Sequence, residues 1–382
     1  MNVECHPITI LPNLSRIFRE YVELRSAPPD APVRKYYAGS PFEGDWMRGV
    51  SRPISADANQ VADLLLLQNR SWQAGEAAFA NIERLRAGAR VVVTGQQVGI
   101  LGGPLLTLMK AATAIRKAQV ATEAGIPHVP VFWMATEDHD LDEVNQVTLL
   151  SKAGVQTLRA HIAGHRLQPV GGIPIPEEIE PLLAQAEELL GYAPITEVLR
   201  ECYAPGQTLG SAFGRLMAYL FRDQGLIVID ASLREYHALG APVLRAGIER
   251  ADELHAALTA RTEQLQAEGY HSQVLVGPDT SLLFLVNEMG ERLPLRRIGG
   301  EWKAGSRAYT TPELLAILDA APERLSPNAL LRPVFQDVLL PTSAYIGGPA
   351  EIAYFAQCEV LYRDILGAVS YTHLTLPTNR EV

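Results

Sequence analysis

The chain has 382 residues, 47% of them hydrophobic and 20% charged, enough apolar content for a sizeable core divided among two or three subdomains. Its net charge of −10 provides no basic footprint for nucleic acid. The N-terminus has no signal-like apolar segment and no run approaches the roughly 18–20 apolar residues of a membrane span, so no membrane contact and a cytoplasmic location are expected.

Residues 1–90 read as a helical lead-in, with apolar periodicity at 56–69 and 77–85 and a proline-rich loop at 28–32. A β-branched strand at 90–94 then runs into Thr94-Gly95-Gln96-Gln97-Val98-Gly99-Ile100-Leu101-Gly102-Gly103-Pro104, followed by a helix to about residue 123, a Gly125-Ile126-Pro127 turn and a strand over 129–135. That order is a right-handed βαβ unit of a parallel sheet. The second strand ends in Thr136-Glu137-Asp138-His139-Asp140, so both motifs fall at the carboxyl ends of adjacent strands, where open α/β sheets bind ligands. Residues 146–220 look like an inserted connective segment. The core resumes with a strand at 225–230, a long helical run at 235–268, a strand at 282–286, a small hairpin within 293–309 and a helix at 312–319. Gly347-Gly348-Pro349 opens a further helix over 350–362. The organisation expected is thus 1–145 (helices and first half of the core), 146–220 (insertion), 221–369 (second half of the core) and a tail at 370–382.

The glycine run is neither a Walker A loop nor a dinucleotide fingerprint. Its glycines Gly95, Gly99, Gly102 and Gly103 permit a tight turn, and the helix start at Pro104 is expected to offer backbone N–H groups to a phosphate or carboxylate. Gln96 and Gln97 suit the orientation of a polar ligand better than the packing of a turn. Glu137, Asp138, His139, Asp140, Asp142 and Glu143 crowd six ionisable groups into seven positions. His139 is expected to be a general acid/base whose pKa its carboxylate neighbours raise. Asp138, Asp140 and Asp142 leave a magnesium site open. Cys5, Cys202 and Cys358 are widely spaced and read as ordinary thiols.

These blocks, together with Leu331-Arg332-Pro333 and its continuation through Tyr354, resemble the bacillithiol biosynthesis cysteine-adding enzymes in order and spacing, from the Pro12-Asn13-Leu14 region to about residue 368. The resemblance implies a bacterial ligase joining L-cysteine through its carboxyl group to the amine of glucosaminyl malate. It also implies an α/β fold with a Rossmann-like, nucleotidyltransferase-like parallel core and inserted helical or irregular segments, completed in the family by a C-terminal coiled coil that makes a homodimer. On that basis Glu137, Asp138, His139 and Asp140 are catalytic candidates. Gly95, Gln96, Gln97, Gly99, Gly102, Gly103, Arg332, Gln336, Tyr345, Gly347, Gly348 and Glu351 are substrate or anion-binding candidates, with Arg332 suited to bidentate carboxylate recognition. ATP with magnesium is a possible cofactor, although no lysine-bearing phosphate loop adjoins either motif. Two other readings are a nucleotidyltransferase-like enzyme using another small polar acceptor and a catalytically silent nucleotide-binding module. Residues 370–382 depart from the family and look non-native. They are expected to pack against nothing and to leave the sheet without an expected strand and the chain largely monomeric or poorly soluble.

Overall fold

Short polar caps set the first helices of the computed structural model, which describes residues 8–37, 39–40, 42–48, 56–151, 154–164, 167–367 and 373–375. Ser15 accepts from the Phe18 N–H at the start of α1 (Arg16–Val22), and Asp57 from the Asn59 N–H at the start of α2 (Ala58–Ser71). Then come α3 (Glu76–Arg86), β1 (Arg90–Gln96), α4 (Leu105–Glu123) and β2 (His128–Met134). β1 and β2 pair in parallel from Arg90↔His128 to Gln96↔Met134, so the turns that follow them leave the same sheet edge. Alternation along the strands is clean. Val91, Val93, Val129, Val131 and Trp133 pack towards α2 and α3, while Phe132 and Met134 pack in a separate cluster on the opposite face.

Between β2 and the next core strand lie α5 (Leu141–Val144), an antiparallel hairpin of β3 (Gln146–Ser151) and β4 (Gly154–Arg159), then α6 (Glu180–Leu189), α7 (Ile195–Cys202) and α8 (Leu209–Leu220). The chain returns through β5 (Ile227–Asp230), parallel to β2. The helical run expected at 235–268 is two helices, α9 (Arg234–Glu249) and α10 (Ala251–Ala267), because Arg250 leaves helical geometry at φ −110°, ψ 22°.

The small hairpin expected within 293–309 is part of something larger. β6 (Thr280–Val286), β7 (Arg292–Ile298), β8 (Glu301–Ala304) and β9 (Arg307–Tyr309) form a meander, and after α11 (Thr311–Ala320) the strand β10 (Leu325–Pro327) pairs with β6, giving a five-stranded antiparallel sheet in the order β10-β6-β7-β8-β9. β10 has three residues, and its pairing to β6 is non-local, which local patterning does not announce.

α12 (Arg332–Leu339) leads into β11 (Thr342–Gly347), a strand that the sequence reading did not assign, which runs parallel to β1 on the side away from β2. α13 (Pro349–Leu361) follows. Contrary to expectation, part of the tail joins the sheet: β12 (His373–Thr375) pairs in parallel with β11 as an edge strand, while the other tail residues, apart from these three, lie outside the described residues. The resulting order is β12-β11-β1-β2-β5. From β1 the chain proceeds to one side through β2 and β5 and later to the other through β11, which makes the β1/β11 boundary the topological switch point. Among the described residues, no helix is long and apolar enough to cross a membrane.

Candidate functional site

A cleft of about 530 Å³ opens at the carboxyl ends of β1, β2 and β11. Its walls come from four separated parts of the chain: Gly95, Gln96 and Gln97 at the end of β1; Glu137, Asp138 and His139 after β2; Arg292, Asn328 and Arg332 from the second sheet and α12; and Tyr345, Gly348, Glu351 and Tyr354 from β11 and α13.

The turn after β2 is braced from beneath. Val170 N–H donates to the Asp138 carbonyl at 2.7 Å and Gly171 N–H to the Thr136 carbonyl at 2.9 Å. A Cβ on Gly171 would stand 2.4 Å from the Thr136 Cβ, so the brace requires glycine at this close approach. Within the turn, Gln97 Nε2 donates to Asp138 Oδ2 at 2.5 Å and His139 N–H to Asp138 Oδ1 at 2.7 Å, which fixes the Asp138 carboxylate between the two sequence motifs. His139 behaves opposite to expectation. Burial first and the Arg292 guanidinium second, with Nη1 at 3.4 Å from Nδ1, push its pKa below the ordinary histidine value and outweigh Asp138 and Asp140. The ring is therefore neutral near pH 7 and able to accept a proton.

The opposite wall is organised around Lys110, which is fully buried in α4. Its ammonium donates to the Gly95 carbonyl at 2.6 Å, to Gln96 Oε1 at 3.2 Å and to Glu351 Oε2 at 2.5 Å. Glu351 also accepts from the Gly348 N–H at 2.7 Å and the Tyr345 hydroxyl at 2.6 Å. Burial alone would raise the Glu351 pKa, but Lys110, the Tyr345 hydroxyl and the Gly348 N–H together hold it below the usual carboxylate value. Arg332 donates to Gln336 Oε1 at 3.0 Å and reaches the Tyr345 and Tyr354 hydroxyls at 3.5 and 3.4 Å, with its guanidinium 5.3 Å from the Tyr345 ring centre. These bonds go to neutral acceptors, and the guanidinium lines the cleft with Glu351 as the nearby charge acting on it. Arg292 donates to Ser326 Oγ and the Pro327 carbonyl, and stacks 3.7 Å from the Phe284 ring centre.

Lys110 and Arg292 escaped the sequence reading. Lys110 carried a signal: it sits three residues after Thr107 and four before Ala114, on the buried stripe of α4, where a charge must find partners. For Arg292, at the start of a strand, there was none. Several expected residues stand elsewhere. Gly99, Gly102 and Gly103 are outside the cleft walls, and their N–H groups are spent internally, on Gln97 O, on Gly99 O and Tyr203 Oη, and on Ile100 O. The anion cradle expected there is replaced by a packed turn with Gly102 buried. Gln336 is fully buried and acts through Arg332, and Gly347 lies in β11 beside the wall rather than in it.

Asp140 is exposed and accepts from the Glu143 N–H as the N-cap of α5, and Asp142 lies 3.7 Å from Arg159. Asp138, Asp140 and Asp142 thus do not converge, and among the described residues no group of three His, Cys, Asp or Glu side chains is placed to hold a metal ion. Replacing Asp140 with alanine is expected to cost about 1 kcal/mol in urea unfolding, the worth of an N-cap, with turnover nearly unchanged. A loss of turnover at unchanged stability would return Asp140 to the chemistry. Cys202 and Cys358 are buried, and burial pushes both thiols up, Cys202 to about 11, which disfavours the thiolate at each.

A parallel sheet with covered faces and a polar, cation-bearing cleft at its switch point defines a Rossmann-like α/β protein. The Rossmann-like N-terminal domain of the bacillithiol biosynthesis protein BshC matches residues 1–369, and the chain belongs to this family. Relatives named as cysteine ligase BshC include one from Koribacter versatilis, 41% identical over 95% of this chain and 68% of its own length. Others come from Solibacter usitatus, 43% identical over 73% of this chain and 53% of its own, and Chlorobaculum tepidum, 34% identical over 91% and 64%. The chain thus spans about half to two thirds of the length of these relatives.

Proposed function

We propose that the cleft forms the amide bond between the carboxyl group of L-cysteine and the amine of glucosaminyl malate, in the cytoplasm, as a step of bacillithiol biosynthesis. One observation carries this reading: two guanidiniums, Arg332 and Arg292, and several carboxylates, Glu137 and Asp138 among them, line a single cleft. A substrate pair bearing carboxylates and primary amines needs both signs of charge at once, and a planar guanidinium suits a carboxylate. The amine attacks the activated cysteine carbonyl, the activating group departs with the bonding pair, and neutral His139 takes the proton that the amine loses. Family membership supports the same assignment.

Mass spectrometry of a purified reaction with cysteine and glucosaminyl malate, with ATP omitted in one arm, tests it. The bacillithiol mass is expected, and the two arms show whether ATP activates the carboxyl group. Folded protein that makes no product in either arm overturns the assignment. His139→Gln is expected to lower kcat by about a hundredfold, the usual worth of a positioned acid/base, with KM changing far less. A near-parental kcat would assign His139 to the solvated surface of the turn.

A further inference from the structure

Behind the cleft wall, on the side away from substrate, stands a buried histidine that neither sequence motif contains. His237 lies on α9 with no solvent exposure. Gly240, one turn further on, is what lets α9 press so closely on α12: a Cβ there would fall 2.1 Å from the Phe335 ring. The same approach sets the His237 ring 5.5 Å from that of Phe335 and carries its Nε2 to 3.0 Å from Glu137 Oε1. Its other nitrogen, Nδ1, is 2.8 Å from the Leu325 carbonyl.

The two contacts together fix the protons. A carbonyl oxygen only accepts, so Nδ1 must carry hydrogen. Nε2 stands within ion-pair distance of the Glu137 carboxylate but without hydrogen-bond alignment, and one further proton is open to the pair: either Nε2 holds it, giving imidazolium and carboxylate, or both groups are neutral. The surroundings favour the ion pair. Arg292 at the start of β7 adds positive potential at Glu137, and the Pro322 carbonyl adds negative potential at His237. Asp230, at the end of β5, faces Glu137 too, but Thr136 Oγ and the Ser232 N–H hold its carboxyl group, and burial raises its pKa. Phe335, the neighbour from α12, brings no charge.

We infer that His237 is a positioning residue which, as a buried imidazolium, holds the Glu137 carboxylate in place in the cleft wall, where it receives the primary ammonium group of a substrate. The recognition half of this statement rests on the reading of the cleft as an amine-acylating site; the protonation half does not. Burial alone would lower the His237 pKa, but Glu137 and the Leu325 and Pro322 carbonyls raise it above the ordinary histidine value. The stabilisation is therefore complete below the ordinary value and is lost as the pH rises through the raised one.

Nitrogen-15 NMR of histidine-labelled protein, with the His237 signals assigned by their loss in His237→Gln, reads the protonation directly. Both ring nitrogens are expected to carry hydrogen at pH 7, and Glu137→Gln is expected to leave a neutral ring protonated at Nδ1 alone. A neutral His237 in the parent overturns the inference, whatever the protein catalyses. For the recognition half, calorimetric titration with glucosaminyl malate is expected to show about tenfold weaker binding to Glu137→Gln and to His237→Ala, the equivalent of one charge-assisted hydrogen bond. His237→Gln, whose amide N–H can still reach Glu137, should recover most of that loss. Binding by Glu137→Gln as tight as the parent's refutes the ammonium assignment. A parent that shows the imidazolium but does not bind glucosaminyl malate refutes the reading of the cleft and leaves the ion pair standing.

Discussion

Replacing Lys110 with methionine is expected to destabilise the fold by about 3 kcal/mol, the largest effect of any single substitution in the cleft wall. Methionine fills nearly the same volume, so packing is preserved while the ammonium disappears. What remains is the Glu351 carboxylate with its strongest partner gone, the Gly95 carbonyl without its donor, and α4 no longer tied to β1 and α13. Removing one member of a buried pair typically costs about 3–5 kcal/mol, and the lower end applies because the Glu351 side chain keeps 22% of its surface open to the cleft. Urea unfolding measures the loss. A second substitution, Glu351→Gln, in the Lys110→Met background should restore part of it, since no buried charge is then left unpaired. A loss below about 1 kcal/mol would mean that the pair behaves like an exposed one, and the account of the wall would fail.

Arg332→Ala is expected to have the largest effect on activity through binding. Among the described residues its hydrogen bonds go to Gln336, Tyr345 and Tyr354, all uncharged, and the guanidinium lines the cleft. A bidentate guanidinium–carboxylate contact comprises two charge-assisted bonds of about 1.5–3 kcal/mol each, so kcat/KM should fall by about a hundredfold or more. Arg332→Lys should recover little, since an ammonium cannot reproduce the planar fork. Steady-state kinetics with each substrate varied in turn would show the loss in the KM of the carboxylate-bearing one. An unchanged KM for both would remove Arg332 from substrate recognition.

How far the sequence went is clearest at the two motifs. The β1–α4–β2 unit could be read almost to the residue, because a β-branched run, a glycine turn, a 3.6-residue apolar period and a second apolar run are all local signals. The same reading put the anion site at Gly102 and Gly103, since a glycine turn opening a helix looks alike whether its N–H groups face a ligand or, as here, the Tyr203 hydroxyl and nearby carbonyls. The direction of the His139 shift was also beyond local reading. Its sequence neighbours are acids, which argue for a raised pKa, but burial first and then Arg292, which arrives from 153 residues away in the second sheet, lower it instead.

By itself, then, the sequence determined the parallel α/β core, the place of the cleft at the carboxyl ends of its strands and the residues that crowd there after β1 and β2. Those properties follow from periodicity and chain order, which act over a few residues. Only the tertiary structure decided which charges meet. The seating of β11 beside β1, the antiparallel sheet that delivers Arg292, the burial of Lys110 against Glu351 and the approach of His237 to Glu137 all depend on contacts between distant segments. In a buried site it is those contacts, through desolvation and pairing, that set each group's charge and so its chemistry.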